Sequence, residues 1–158
     1  MKELTHTCYY ALYAYDELSD KDRELIEAAK RATEGSYAPY SKFRVGAALR
    51  LADGTIVAGA NQENVAYPSG LCAERTALFY AGAAYPDRAV ETLAIAARTE
   101  GGEFTTTPIA PCGACRQVML ETELRYRTPI RILLYGIEGV YVVEGGVGEL
   151  LPLRFDSF

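Results

Sequence analysis

Two short motifs, Cys72-Ala73-Glu74 and Pro111-Cys112-Gly113-Ala114-Cys115, constrain this chain more tightly than anything else in it. Three thiols and a carboxylate in that pattern are the materials of a catalytic zinc site, so the fold has to bring two distant segments to one point. Zinc that performs chemistry takes three protein ligands and leaves a fourth position for water, whereas structural zinc closes all four. Cys72, Cys112 and Cys115 supply three. The remaining cysteine, Cys8, lies far upstream among tyrosines, and the only histidine, His6, is close to it. No fourth ligand stands at ligand spacing, which favours an open site holding one Zn2+ per chain.

The length of 158 residues with 49% hydrophobic content fits one domain spanning 1–158 with a core large enough to stand alone. No internal repeat, low-complexity segment or Pro/Gly-rich linker divides it. The opening residues, Met1 to Glu17, lack a long aliphatic run, and no stretch approaches the ~20 apolar residues of a membrane span. The expected location is therefore cytoplasmic, where thiolates persist; a disulfide framework is poorly supported for a chain this long.

Leu18-Ser19-Asp20-Lys21-Asp22 opens a helix with Ser19 as N-cap, Leu25, Ile26, Ala29 and Ala32 follow at helical spacing, and Gly35 ends it. Phe43 to Leu51 and Thr55 to Ala60 read as strands joined by Ala52-Asp53-Gly54, a hairpin turn signal. Further strands are expected over Thr92–Arg98, Ile130–Tyr135 and Val140–Glu144. Helices are expected from Cys72 to about Gly82 and from Cys112 to about Leu124, so each cysteine motif opens a helix. The order predicts an α/β fold, helices layered over a mixed five-stranded sheet. Residues 5–15 alternate loosely between tyrosine and smaller residues, consistent with an added strand, a helical turn or a tyrosine-rich surface for another subunit.

A ligand, one residue, Glu, then Pro-Cys-x-x-Cys is the pattern of zinc nucleobase deaminases. The blocks Ser36–Leu49 (SYAPYSKFRVGAAL), Asn61-Gln62-Glu63-Asn64, Cys72–Ala77 (CAERTA), Pro111–Gln117 (PCGACRQ) and Leu150-Leu151-Pro152 together resemble the small cytidine deaminases, over roughly residues 20–155, with 1–17 as an extension of unclear role. The resemblance implies a three-layer helix-sheet-helix sandwich, a homotetramer with shared active sites, and a place in pyrimidine salvage. Cytidine and deoxycytidine, with water, are the implied substrates.

Three thiolates around a zinc dication leave a net charge of about −1, and Arg75 and Arg116, each following a motif, can moderate it by donating to cysteine sulfur. Helix starts stabilise thiolate by their unpaired N–H groups and positive dipole end. Glu74 is the expected general acid/base, moving a proton from water to the ring nitrogen beside the amino-bearing carbon and then to the leaving amine. Asn61 and Glu63, alternating about Gln62 just past a strand end, resemble the family's ribose clamp. Phe43 matches the family aromatic that packs on the pyrimidine, and Ala73 offers a backbone N–H to the base carbonyl. Tyr67 and Phe155 match aromatics that reach a neighbouring subunit's site in tetrameric members. The tail Pro152–Phe158 replaces the family's Gly-Pro, so its path is open.

A net charge of −5 and a pI near 5.0 argue against wide contact with a phosphate backbone, placing a nucleic-acid deaminase behind a nucleoside deaminase. A deaminase of a related cytosine nucleoside such as blasticidin S is a close rival. From a different class, a zinc-stabilised interaction protein would use the same cysteines, but it has no use for Glu74.

Overall fold

The computed structural model describes residues 1–157; Phe158, the last residue of the expected domain, lies outside the described residues. Among the described residues six strands form one sheet: β1 (Ala11–Tyr13), β2 (Phe43–Leu51), β3 (Ile56–Ala60), β4 (Val90–Thr99), β5 (Arg131–Gly136) and β6 (Gly139–Val143), in the order β1-β6-β5-β4-β2-β3. Only β4 and β5 run parallel, and the crossover between them carries α3 (Gly113–Tyr126). The sheet is mixed as expected but has six strands instead of five. The added one is β1, drawn from the tyrosine-rich start, paired antiparallel with β6 through Ala11↔Val142 and Tyr13↔Val140.

Period-two alternation explains the layers. Ala47, Leu49, Leu93, Ile95, Ile132 and Leu134 face a core shared with α2 (Ala73–Ala84) and α3, while Ala48, Ala94, Ala96 and Leu133 face a second core under α1 (Asp20–Ala32). Both faces are covered, so the central strands read as unbroken apolar runs. Each fully buried Leu or Ile there contributes about 1.5–3 kcal/mol of transfer free energy. Ser19 caps α1, its Oγ accepting from the Asp22 N–H at 3.2 Å, with acids in the first turn and Lys30 and Arg31 in the last. In the β2–β3 hairpin, Gly54 takes φ +86° and the Asp53 carboxylate accepts from the Thr55 N–H at 3.0 Å.

Two glycines let the helices lie directly on the strands. A Cβ at Gly46 would stand 2.1 Å from the Ala29 carbonyl oxygen of α1, and one at Gly59 would stand 2.6 Å from the Ala77 nitrogen and 2.9 Å from the Ala73 carbonyl oxygen of α2. Gly59 thus sets the depth at which the first turn of α2 rests on β3.

The start of the chain is fastened at several points. The Tyr15 hydroxyl donates to Glu27 at 2.8 Å, and the Lys30 ammonium, 2.7 Å from the same carboxylate, sits 5.2, 5.4 and 4.4 Å from the ring centroids of Tyr15, Phe104 and Tyr135. Tyr10 meets Tyr141 edge-on at 5.1 Å, and the Tyr9 N–H donates to Glu149 at 2.8 Å.

Candidate metal centre and adjoining cavity

Cys72 is the N-cap of α2 and Cys112 the N-cap of α3, both with extended backbone; Cys115 follows in the first turn of α3, fully buried. The Cys72 and Cys112 carbonyls accept the first intrahelical bonds, from Thr76 and Arg116 at 3.0 Å each. Both cysteine motifs therefore open helices, and the two helix starts converge. The Cys72 and Cys112 Sγ atoms are 3.7 Å apart, Cys112 and Cys115 3.4 Å, and all three lie within 4.8 Å of one another.

Those distances fit one ion. Tetrahedral zinc with Zn–S of about 2.3 Å spaces its thiolates about 3.8 Å apart. Among the described residues this is the only cluster of three or more Cys, His, Asp or Glu side chains with that closeness. The Cys72 thiol is held down to about 5, first by the hydrogen bond shared with Cys115 and then by the Arg75 guanidinium, whose Nη2 stands 3.9 Å from the sulfur. The Cys115 thiol is pushed up by the other side of that sharing and by burial.

Glu74, in the first turn of α2, is 4% exposed, beside the sulfurs and shielded from bulk water. Burial raises its carboxyl above the usual range, and the charge on Cys72 adds to the effect. Ala73, also fully buried, precedes it at the helix start, where backbone N–H groups have no intrahelical partner.

A cavity of about 510 Å³ opens beside Cys72, lined among others by Tyr40, Ser41, Asn61, Glu63, Tyr67 and Arg75. Asn61 spends part of its amide on β2: Oδ1 accepts from the Val45 N–H at 2.8 Å and Nδ2 donates to the Phe43 carbonyl at 3.0 Å. Glu63 accepts from the Tyr40 N–H at 2.8 Å and the Ser41 N–H at 3.3 Å, and hydrogen bonds first from Ser41 and then from Tyr40 hold its carboxyl below the ordinary range. Tyr67, 77% exposed, lies edge-on to Tyr40 at 6.1 Å. Phe43 opens β2 but is not part of the cavity wall. Phe155 is 66% exposed, its carbonyl accepting from Gln117 at 2.8 Å. A second cavity, about 250 Å³ between α2 and α3 near Leu78, Val118 and Tyr126, contains neither cysteine motif.

Arg116 points elsewhere than expected. Its Nε donates to the Pro111 carbonyl at 2.8 Å and its Nη1 to the Leu150 carbonyl at 2.6 Å, so its hydrogen bonds go to main chain rather than to sulfur. A carbonyl just ahead of the motif is a better acceptor than a thiol and is presented within reach. Sequence reasoning also missed Tyr40 and Ser41, whose backbone N–H groups grip Glu63; any residue but proline can supply such a donor, so no side-chain pattern marks it.

A family model described as the cytidine and deoxycytidylate deaminase zinc-binding region matches residues 19–128. The cytidine deaminase of Halalkalibacterium halodurans is 44% identical over 137 residues, covering 86% of this chain and 96% of that one. The cytidine deaminase of Sporosarcina psychrophila is 52% identical over 134 residues, covering 85% and 90%. The crystal structure of cytidine deaminase from Burkholderia pseudomallei superposes with a TM-score of 0.72 at 44% identity, over 87% of this chain and 100% of that one. That from Mycobacterium tuberculosis gives 0.63 at 32%, over 87% and 98%.

Proposed function

The chain belongs to the cytidine and deoxycytidylate deaminase family of hydrolytic enzymes, and from that premise we propose that it converts cytidine and deoxycytidine to uridine and deoxyuridine with release of ammonia, a salvage reaction. One observation carries the reading: three sulfurs at zinc spacing, at two helix starts, beside a buried carboxylate and an open cavity. Cys72, Cys112 and Cys115 would hold the ion. Zinc with an open fourth position lowers the pKa of a water molecule and so supplies a hydroxide nucleophile at neutral pH.

In this mechanism Glu74 takes one proton from the attacking water and gives it to the ring nitrogen next to the amino-bearing carbon. The oxygen–carbon bond forms, Glu74 carries the hydroxyl proton to the amine, and the carbon–nitrogen bond breaks as ammonia leaves. Arg75, against the Cys72 sulfur, offsets part of the thiolate charge. On the sugar side, Glu63 accepts from a ribose hydroxyl. Asn61, anchored to β2, keeps one N–H and a lone pair for the same purpose. The Ala73 N–H donates to the base carbonyl and Phe43 packs near the ring. Tyr67 and Phe155, both largely exposed, serve a neighbouring site in a homotetramer with shared active sites; light scattering coupled to size exclusion measures that assembly, and a fully active monomer rules it out. Location in the cytoplasm is part of the proposal; among the described residues no helix is long and apolar enough to cross a membrane.

The deciding experiment follows the ultraviolet change on loss of the amino group, with purified protein assayed for zinc, cytidine as substrate and Glu74→Ala as control. Rapid turnover that the substitution lowers by about 10²–10⁴-fold, with zinc retained, is the expected result. Absence of turnover at one zinc per chain moves the assignment to a modified cytosine nucleoside, and equal turnover by Glu74→Ala removes Glu74 from the chemistry.

A further inference from the structure

Residues 147–155 run alongside α3, and three side chains of α3 hold them. Glu123 accepts the Val147 N–H at 2.8 Å, Arg116 donates to the Leu150 carbonyl at 2.6 Å, and Gln117 donates to the Phe155 carbonyl at 2.8 Å. Arg116 and Gln117 are the two residues immediately after Cys115. The 3-10 turn at Val147–Leu150 is also tied on its outer side, where Glu149 accepts the Tyr9 N–H at 2.8 Å. Arg116 joins this segment to the cysteine motif, because its Nε grips the Pro111 carbonyl at 2.8 Å, one residue ahead of Cys112.

We propose that Val147–Phe155 is a strap that fixes the Pro111–Cys112 ligand loop through the two-ended grip of Arg116, making Arg116 a positioning residue for the metal centre. The physical reason lies in the motif. Cys112 is an N-cap with extended backbone, in the helical ladder through its carbonyl alone, so its Sγ position depends on the backbone preceding the helix. Pro111 has no N–H to tie that backbone down, leaving its carbonyl as the handle. A planar guanidinium with donors in a fixed fork can hold two carbonyls at once; an ammonium on a flexible stem holds a point. The strap supplies the second carbonyl, and the half-buried Leu150 and Leu151 side chains pack it against the α2–α3 core.

The inference rests on the zinc deaminase reading, and its test is a zinc affinity, measured by chelator competition and needing no nucleoside. Arg116→Met is expected to weaken zinc binding about 10–100-fold, the usual effect of removing a group that orients a ligand. Arg116→Lys is expected to lose nearly as much, since it restores charge without the fork. Truncation after Glu149 removes the Leu150 carbonyl, and combining it with Arg116→Met is expected to add little further loss, because both changes cut the same link. In zinc-saturated protein, Arg116→Met lowers kcat while leaving KM for cytidine near its original value. Wild-type zinc affinity in Arg116→Met, or full rescue by Arg116→Lys, overturns the strap, the latter by showing that charge alone matters. Losses that multiply in the double variant also overturn it. Should the truncated chain fail to fold, the Met and Lys variants decide alone. Wild-type protein that binds no zinc overturns the deaminase reading and the strap together.

Discussion

Replacing Gly59 by alanine should separate catalysis from folding more sharply than any change at the cysteines. The new Cβ would stand 2.6 Å from the Ala77 nitrogen and 2.9 Å from the Ala73 carbonyl oxygen, and ordinary contact begins at 3.4 Å, so the first turn of α2 must retreat by about 0.8 Å. Both obstructing atoms are backbone, and no rotamer change relieves them. That turn carries Ala73 and Glu74 and is capped by Cys72, whereas Cys112 and Cys115 sit on α3 and stay where they are. Overpacking of this kind costs about 1–3 kcal/mol of stability. A displacement near 1 Å of reacting groups costs on the order of 10²-fold in rate. The expected result is a folded protein with lowered Tm and with kcat/KM for cytidine reduced about 10–100-fold. Gly46→Ala is the control, because its Cβ would strike the Ala29 carbonyl of α1 at 2.1 Å, on the opposite face of the sheet. It should lose at least as much stability, and whatever folds should turn over normally. Gly59→Ala with wild-type kcat/KM, or equal catalytic loss in the two variants, refutes the idea that β3 sets the height of α2.

Burial, followed by the hydrogen bond to Glu27, pushes the Tyr15 hydroxyl up to about 12 from 10.0; the folded state holds that proton more tightly, so the contribution to stability is complete below pH 10 and is lost between pH 10 and 12. Tm measured across that range should fall more steeply in wild type than in Tyr15→Phe, and identical slopes would contradict the assignment. Glu63→Gln should loosen the Tyr40–Ser41 loop, because a single amide oxygen replaces two carboxylate oxygens at those N–H groups. It should also raise KM for cytidine with a smaller effect on any free-base activity, and unchanged nucleoside selectivity would remove Glu63 from the sugar contact.

Much of the architecture was written in local patterns. Ser19 with acids behind it, Asp53-Gly54 between two apolar runs, and cysteine motifs opening helices are signals carried by residues a few positions apart, and each became the corresponding cap, turn or helix. The three-sulfur cluster was legible for the same reason, since its spacing left one way to use three thiols. What escaped depends on partners far along the chain. Three residues of β1 alternate too briefly to mark a strand, and only β6, some 130 positions later, makes them one. Arg116 looked like a sulfur donor because Cys115 adjoins it in sequence, while its carbonyl partner at Leu150 is remote. Gly59 showed nothing, because the reason for its missing side chain is the backbone of α2 pressed against it.

Pairing β1 with β6 has a consequence for the order in which the molecule is completed. Of the six described strands, β1 leaves the ribosome before the others and its sheet neighbour β6 leaves after them, with β5 entering between β4 and β6. The three cysteines of the cluster are all present once Cys115 has been made, before β5 or β6 exists. Ala11–Tyr13 must therefore wait, unpaired, while α1, the β2–β3–β4 block and the cysteine cluster assemble without it. In pulse-labelled hydrogen exchange its amides should gain protection together with those of Gly139–Val143 and after those of β2 and β4, so that β1 reports the arrival of β6.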